Sequence, residues 1–344
     1  MRSFCSSAVL LLIIIGLSVG GWFAYYVFTP TSGTEERIVH IPKGAGVRQI
    51  KGILGRHGII RNDIRFLVLV RLLFEIEKEH APRLRAGEFK VPQGLTPLQT
   101  IRFLDTAKPV SYQVTVPEGK TMEEVAGIFS EGKWIDPERF LQLCRDRAFI
   151  LELGIQADSL EGYLFPETYT LVRGEVDEQI LITTMARRFS TVWGALSVQR
   201  QEKKTGRRKK FDRHRLLILA SIVEKETGAA GERDVIAGVF YNRLRKGMRL
   251  QSDPTTIYGI ENFNGNLTRA DLKRKTPYNT YAINGLPAGP ICNPGAAAIE
   301  AVLAPANVPY LYFVSRNDGS HHFSKTLKEH NRAVYKFQKR RRKK

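Results

Sequence analysis

Residues Ala8 to Phe28 form a run of 21 without one charged side chain. At ~1.5 Å per helical residue the run is ~31 Å long, the thickness of one bilayer core. A secretory signal has a shorter apolar stretch followed by small residues, and Thr31-Ser32-Gly33 makes a poor cleavage site. Cys5 precedes the run and is misplaced for a lipoprotein cysteine. Residues 1–32 are therefore expected to be a short tip and an uncleaved single-pass transmembrane anchor. The charge count does not orient it, because Arg2 and the amino terminus on one side face Arg37, Lys43 and Arg48 on the other.

A second apolar run, Leu216 to Val223, ends on a carboxylate: Ile222-Val223-Glu224-Lys225-Glu226-Thr227-Gly228. The run is too apolar for a solvated helix face, so the helix is expected to be buried on several sides, with Gly228 as its C′ stop. Desolvation and the negative end of the helix dipole then both raise the Glu224 pKa. A carboxyl kept protonated near neutral pH can act as a general acid. Periodicity alone leaves open an outward-facing Glu224 paired with Lys or Arg.

Between residues 37 and 130 one pattern occurs three times: a β-like run, an apolar residue, Pro-x-Gly and a helical stretch. The copies are Ile41-Pro42-Lys43-Gly44, Val91-Pro92-Gln93-Gly94 and Val116-Pro117-Glu118-Gly119. Pro ends each strand and Gly permits the turn. Thr96-Pro97-Leu98-Gln99 and Thr121-Met122-Glu123-Glu124 read as capping boxes opening helices. Three unevenly spaced copies are too few for a solenoid. The units resemble LysM-type modules, which grip N-acetylated sugars, although a generic α/β connector fits the short pattern equally well.

Downstream, Met185 to Leu196 is helical by spacing, and Gln201 to Lys210 is a basic connector. A further helix is expected with Ile236, Val239, Phe240 and Leu244 on one face. Beyond Gln251 come loops rich in Asn, Pro, Gly and Tyr, of the sort that carry function. The formal charge of +19 is concentrated partly at Lys203–Lys210 and in the tail Lys339–Lys344. Such runs suit anionic lipid heads, acidic polymers or nucleic acid, or are simply solvated. No aromatic interleaving supports a single-strand groove, and no nucleic-acid partner is expected. Three cysteines give no disulfide framework.

Six strings surround the apolar helix in order: Leu160-Glu161-Gly162-Tyr163-Leu164-Phe165-Pro166-Glu167, Ala220 to Thr227, Leu250-Gln251-Ser252-Asp253-Pro254, Pro277-Tyr278-Asn279-Thr280-Tyr281, Gly285 to Gly295, and Tyr312-Phe313-Val314 with His321-His322-Phe323-Ser324. Together they closely resemble the endolytic murein transglycosylase, or YceG-like, family over nearly the whole chain. Thr276 stands where that family often has Ser, and Ala288 where it often has Pro. The basic tail is not part of the match. The implied fold is α+β: an anchor (1–32), a LysM-like module (33–108), a mixed α/β YceG-like catalytic domain (109–336) and a basic tail (337–344).

The resemblance implies an inner-membrane enzyme whose catalytic domain lies on the periplasmic side. It would cut peptidoglycan strands internally at the MurNAc-β-1,4-GlcNAc bond, leave a 1,6-anhydro end, terminate nascent strands, and work beside a peptidoglycan synthase. In this family the glutamate matching Glu224 is the catalytic acid. A lytic transglycosylase can manage with one carboxyl: it protonates the glycosidic oxygen, then takes the proton from the C6 hydroxyl that attacks C1. An ordinary glycosidase needs two, and Glu161, Glu167 and Asp253 are the reserve acids for a hydrolase. Gln251, Ser252, Asn279 and Asn293 are expected to hydrogen-bond sugars, with Tyr163, Tyr278 and Tyr281 as ring platforms and Glu161, Glu226 and Asp253 close to substrate. For each, fixing a loop is an equal alternative. His321, His322 and His330 lack His-Glu-x-x-His spacing, so no metal and no other cofactor is expected. Neither Gly-x-Ser-x-Gly nor a phosphate-binding loop occurs.

Overall fold

The computed structural model describes residues 2–33, 35–203 and 212–339. The basic connector beyond residue 203 and the tail beyond 339 lie outside the described residues. The chain is mixed α+β and divides into two compact units: residues 1–113 with 170–177, and residues 114–169 with 178–344.

The first unit begins with helix α1 (Arg2–Phe28), whose segment Leu10–Phe28 is long and apolar enough to cross a membrane. Strand β1 (Arg37–Ile41), helices α2 (Val47–Arg56) and α3 (Arg65–Glu77), strand β2 (Gly87–Val91) and helix α4 (Pro97–Thr106) follow. β1 and β2 pair antiparallel with Val39 opposite Phe89. Both residues are fully buried, as period-two alternation over a core requires. Ile50, Leu54, Phe66, Val70, Ile101 and Leu104 close that core from α2, α3 and α4. The apolar helix does not stop short of it. Tyr26 and Val27 belong to the same core, and Phe23 packs on it.

β3 (Ser111–Thr115) opens the third copy of the repeated pattern. All three Pro-x-Gly turns take the form the sequence demands, with Gly44, Gly94 and Gly119 at φ +78°, +79° and +76°. The capping boxes at Thr96/Gln99 and Thr121/Glu124 are both formed.

α5 (Met122–Glu131), α6 (Pro137–Leu143) and α7 (Arg147–Glu152) of the second unit precede β4 (Thr168–Val172), which pairs with β3 and from residue 170 belongs to the first unit. Then come α8 (Glu178–Lys203), α9 (Arg213–Glu226), α10 (Arg233–Arg245), α11 (Asp253–Tyr258), α12 (Arg269–Lys273) and α13 (Ala296–Leu303). The hairpin β5 (Tyr312–Ser315) and β6 (His321–Ser324) and helix α14 (Leu327–Val334) complete it. α13 is built largely of alanine and packs against α8, α9 and α10. In α9 all eight residues from Leu216 to Val223 are buried, so the helix is enclosed on every side. On α10, Ile236, Val239 and Phe240 are buried as the spacing predicts, while Leu244 is partly exposed.

One expectation about α9 needs correction. The helix stops because Thr227 turns extended, at φ −92° and ψ 111°. Gly228 is not in the left-handed region. It is constrained instead by close approach, since a Cβ there would meet the Gly319 carbonyl oxygen at 2.8 Å.

Candidate active site

The last turn of α9 carries the site. Ser221 is the buried polar residue of that helix, and its Oγ accepts from the Ile291 N–H at 3.0 Å while donating to the Ile218 carbonyl at 2.8 Å. The Cys292 thiol donates to the Ser221 carbonyl. One turn later the Gly295 N–H donates to Glu224 Oε2 at 3.0 Å. Residues 291–295 are thereby stitched along the helix end, and Glu224 comes to rest at the N-terminus of α13, for which Gly295 is the cap.

A second segment closes on the same point. The Gly119 N–H donates to the Asn293 carbonyl and the Asn293 N–H to the Lys120 carbonyl, at 2.9 and 2.8 Å. Lys225 Nζ donates to the Gly119 carbonyl. The Pro117-Glu118-Gly119 turn thus lies against the end of α9. Glu118 leans over Gly295 so closely that a Cβ there would fall 1.8 Å from its Oε1, so any side chain at 295 would have to displace the Glu118 carboxylate. Arg233, the first residue of α10, extends Nη2 to 3.7 Å from Glu224 Oε1 and 3.9 Å from Glu118 Oε2.

Glu224 is enclosed rather than solvated, with 8% of its side chain exposed. Burial is the largest influence on its carboxyl and raises its pKa. The Gly295 N–H lowers it, Glu118 raises it, and Arg233 lowers it again; the net direction is up. The negative end of α9 is therefore opposed by the positive end of α13, and desolvation decides the sign.

The other residues singled out in the sequence fall into two groups. Glu161, Asn293, Asn279 and Tyr163 are buried, and their side chains are occupied by the protein itself. Glu161 accepts from the Met122 N–H, from Asn293 Nδ2 and from the Tyr258 hydroxyl, and burial pushes its pKa up to about 8. Asn293 also accepts from the Leu164 N–H. Asn279 Nδ2 donates to the carbonyls of Asp271, Leu272 and Arg274, closing the end of α12. The Tyr163 ring stacks on His214 and meets Phe189 edge-on, with its hydroxyl 2.9 Å from His214 Nδ1. All four side chains are turned inward and bonded to the protein, the arrangement of the loop-fixing alternative. Glu167 is likewise committed, in a two-pronged pair with Arg188.

The second group, Ser252 excepted, keeps accessible surface. Gln251 is exposed and holds φ +48°, a left-handed conformation unusual for its type. Tyr278 is half-buried with its ring 4.7 Å from Tyr258. The Tyr281 hydroxyl donates to Asp253 at 2.6 Å. Buried Ser252 donates to Glu226 at 2.6 Å, and burial raises the Glu226 carboxyl too. Asp253-Pro254 opens α11, as a Pro at the first turn favours. Of the histidines, His321 pairs with Glu232 at 2.8 Å.

Two residues at the centre escaped sequence reasoning, Glu118 and Arg233. The third Pro-x-Gly copy carries an acid where the others carry Lys43 and Gln93, and that difference is the signal that was there to be read.

The sequence pattern of the YceG-like family matches residues 39–336. The chain belongs to this family. It is 31% identical to the endolytic murein transglycosylase of Bacillus subtilis, over 93% of this chain and 91% of that protein. The enzyme of that name from Streptococcus pneumoniae is 28% identical over 92% of this chain, which spans 62% of the pneumococcal protein's length. A crystallised yceG-like protein from Listeria monocytogenes superposes with a TM-score of 0.58 at 30% identity, covering 88% of this chain and 100% of that one.

Proposed function

We propose that this chain is an endolytic lytic transglycosylase of peptidoglycan, with Glu224 serving first as acid and then as base. The observation that carries the reading is the setting of Glu224: a mostly buried carboxyl, raised in pKa by burial, at the junction of α9, the 117–120 turn and the 291–295 loop. A protonated Glu224 donates to the glycosidic oxygen as the bond breaks. The resulting carboxylate, stabilised by the Gly295 N–H and Arg233, removes the proton from the C6 hydroxyl. That oxygen closes on C1 and leaves a 1,6-anhydro end. No water is consumed, which suits an acid with little solvent around it.

The wider reading follows the family. α1 anchors the protein in the inner membrane with the rest on the outer side, cleavage falls between MurNAc and GlcNAc, the module at 33–108 grips glycan in the manner of LysM units, and cutting ends strand growth beside a synthase. Gln251, Tyr278 and Tyr281 line the substrate path.

Glu118 favours one second reading, a hydrolase with two carboxylates. An inverting glycosidase keeps its two acids apart to admit a water, whereas here the Arg233 guanidinium lies within 4 Å of both. Glu118 therefore acts on Glu224 through charge. Product masses decide: purified peptidoglycan digested by the wild type should give anhydro-ended fragments, each one water lighter than its reducing-end counterpart, and Glu224→Gln should give none. Reducing ends from the wild type would establish the hydrolase.

A further inference from the structure

The outward face of α3 carries an apolar stripe beside two charged residues, Arg71 and Glu75. Ile64, just before the helix, and Val68, Leu72 and Ile76 recur every fourth residue and so form that stripe, while Phe74 is exposed on another side of the helix. They are 66%, 42%, 42%, 74% and 48% exposed. Single exposed apolar residues need no explanation, but a continuous stripe along one helix marks a surface that something covers.

The start of α3 is fastened to the outer end of α1. Arg65, paired with Asp63, lays its guanidinium over the rings of Trp22 and Tyr26 at 4.3 and 4.4 Å, and donates to the Trp22 carbonyl. The Tyr26 hydroxyl donates to the Arg61 carbonyl. Helix length then sets the depth. A span of ~20 residues is needed to cross the hydrocarbon, and Ala8 to Phe28 supplies 21 only if its last turns are used. The start of α3 sits beside those same turns. A wholly polar α3 face there would be costly to bring against lipid; the face it presents is an apolar stripe with Arg71 and Glu75 at its edge, side chains long enough to reach the headgroups. Exposed Trp22 and Tyr25 are the ring types that favour the boundary between lipid and water.

We propose that the outer face of α3 lies in the membrane interface, with the Ile64-Val68-Leu72 stripe against lipid. Exposed Arg71 and Glu75, one turn apart on this helix, offset each other, so the attraction is apolar and does not require anionic lipid. The inference rests on α1 being a membrane span.

The test uses the full chain in phosphatidylcholine nanodiscs, with Cys5→Ser as background because Cys144 and Cys292 are buried. An environment-sensitive fluorophore is attached in turn at Val68→Cys, Leu72→Cys, Gln49→Cys on α2 and Val19→Cys within the span. Brominated lipid should quench the labels at 68 and 72 several-fold more than the label at 49, and aqueous iodide should do the reverse. Strong iodide quenching at 68 and 72 with lipid quenching only at 19 overturns the proposal and leaves the anchor intact. Shielding of 68 and 72 from both quenchers also overturns it, because a protein then covers the face. Failure of lipid to quench position 19 sinks the anchor reading itself.

Discussion

Glu161 and Glu224 use one device in two regions. Each is a carboxylate drawn from water and set at the N-terminus of a helix, Glu161 on the Met122 N–H of α5 and Glu224 on the Gly295 N–H of α13. The difference lies in what else reaches them. Glu161 is closed in by three kinds of donor and is 1% exposed, so its hydrogen bonds are all spent on structure. Glu224 has one backbone donor, a guanidinium at 3.7 Å and a rival carboxylate under the same guanidinium. A buried acid becomes reactive when its burial is incompletely compensated. Glu161 ties segments together; Glu224 retains the capacity to exchange a proton.

The sharpest break between them comes from removing each acid. Glu224→Gln should lower the rate of anhydro-product release by about three orders of magnitude, read by mass spectrometry, while leaving the fold intact. Glu161→Ala should instead cost about 3 kcal/mol of stability by stranding Asn293, Tyr258 and the Met122 N–H, read as a lower urea midpoint. If Glu161→Ala were as stable as wild type, the division of labour would be wrong.

Both carboxyls are raised in pKa, so the stability each contributes is complete below the ordinary carboxylate range and is lost as pH rises through the folded-state value. For Glu161 that value is about 8. Wild type should therefore lose stability as pH climbs from the ordinary carboxylate range to about 8 and level off above it, and Glu161→Gln should flatten that loss in urea melts taken at the two ends of that window.

Charge around Glu224 can be tuned in both directions. Glu118→Gln removes a repulsion, lowers the Glu224 pKa and should move the alkaline limb of kcat/KM to lower pH, by about half a unit to one unit. Arg233→Gln should move the same limb upward. Shifts of the same sign in both variants would break the account, and near-complete loss of activity in Glu118→Gln would favour a two-carboxylate hydrolase. The smallest effect is expected at Tyr163→Phe. It loses the hydroxyl contact to His214, about 1 kcal/mol of stability, and leaves glycan affinity unchanged in a binding assay.

How much of this was legible depends on range. The burial of α9, the turn glycines, the capping boxes and the inward face of α10 follow from spacing within a few residues, and the sequence carries them openly. Glu224 was legible as an oddity, an acid closing an apolar helix. Its partners were not, because Glu118, Arg233 and Gly295 are separated in the chain and meet only through tertiary contacts. For Asn279, Asn293 and Tyr163 both alternatives stayed open in the sequence for the same reason. Polar and aromatic residues in a loop look alike in sequence whether they face substrate or hold a carbonyl, and only burial separates the two.

The junction after the apolar run also differs from what composition suggests. Residues 1–32 read as a tip and anchor separate from the module that follows, yet Tyr26 and Val27 are core residues of the first unit, and Thr31 donates to the Ile59 carbonyl. A soluble version trimmed at residue 33 would take two core side chains and the Arg65 stacking partners with it. Cutting ahead of Trp22 would retain them, at the expense of leaving a short apolar stub, and proteases acting on the intact protein should find the stretch from Trp22 to Gly33 a poor place to cut.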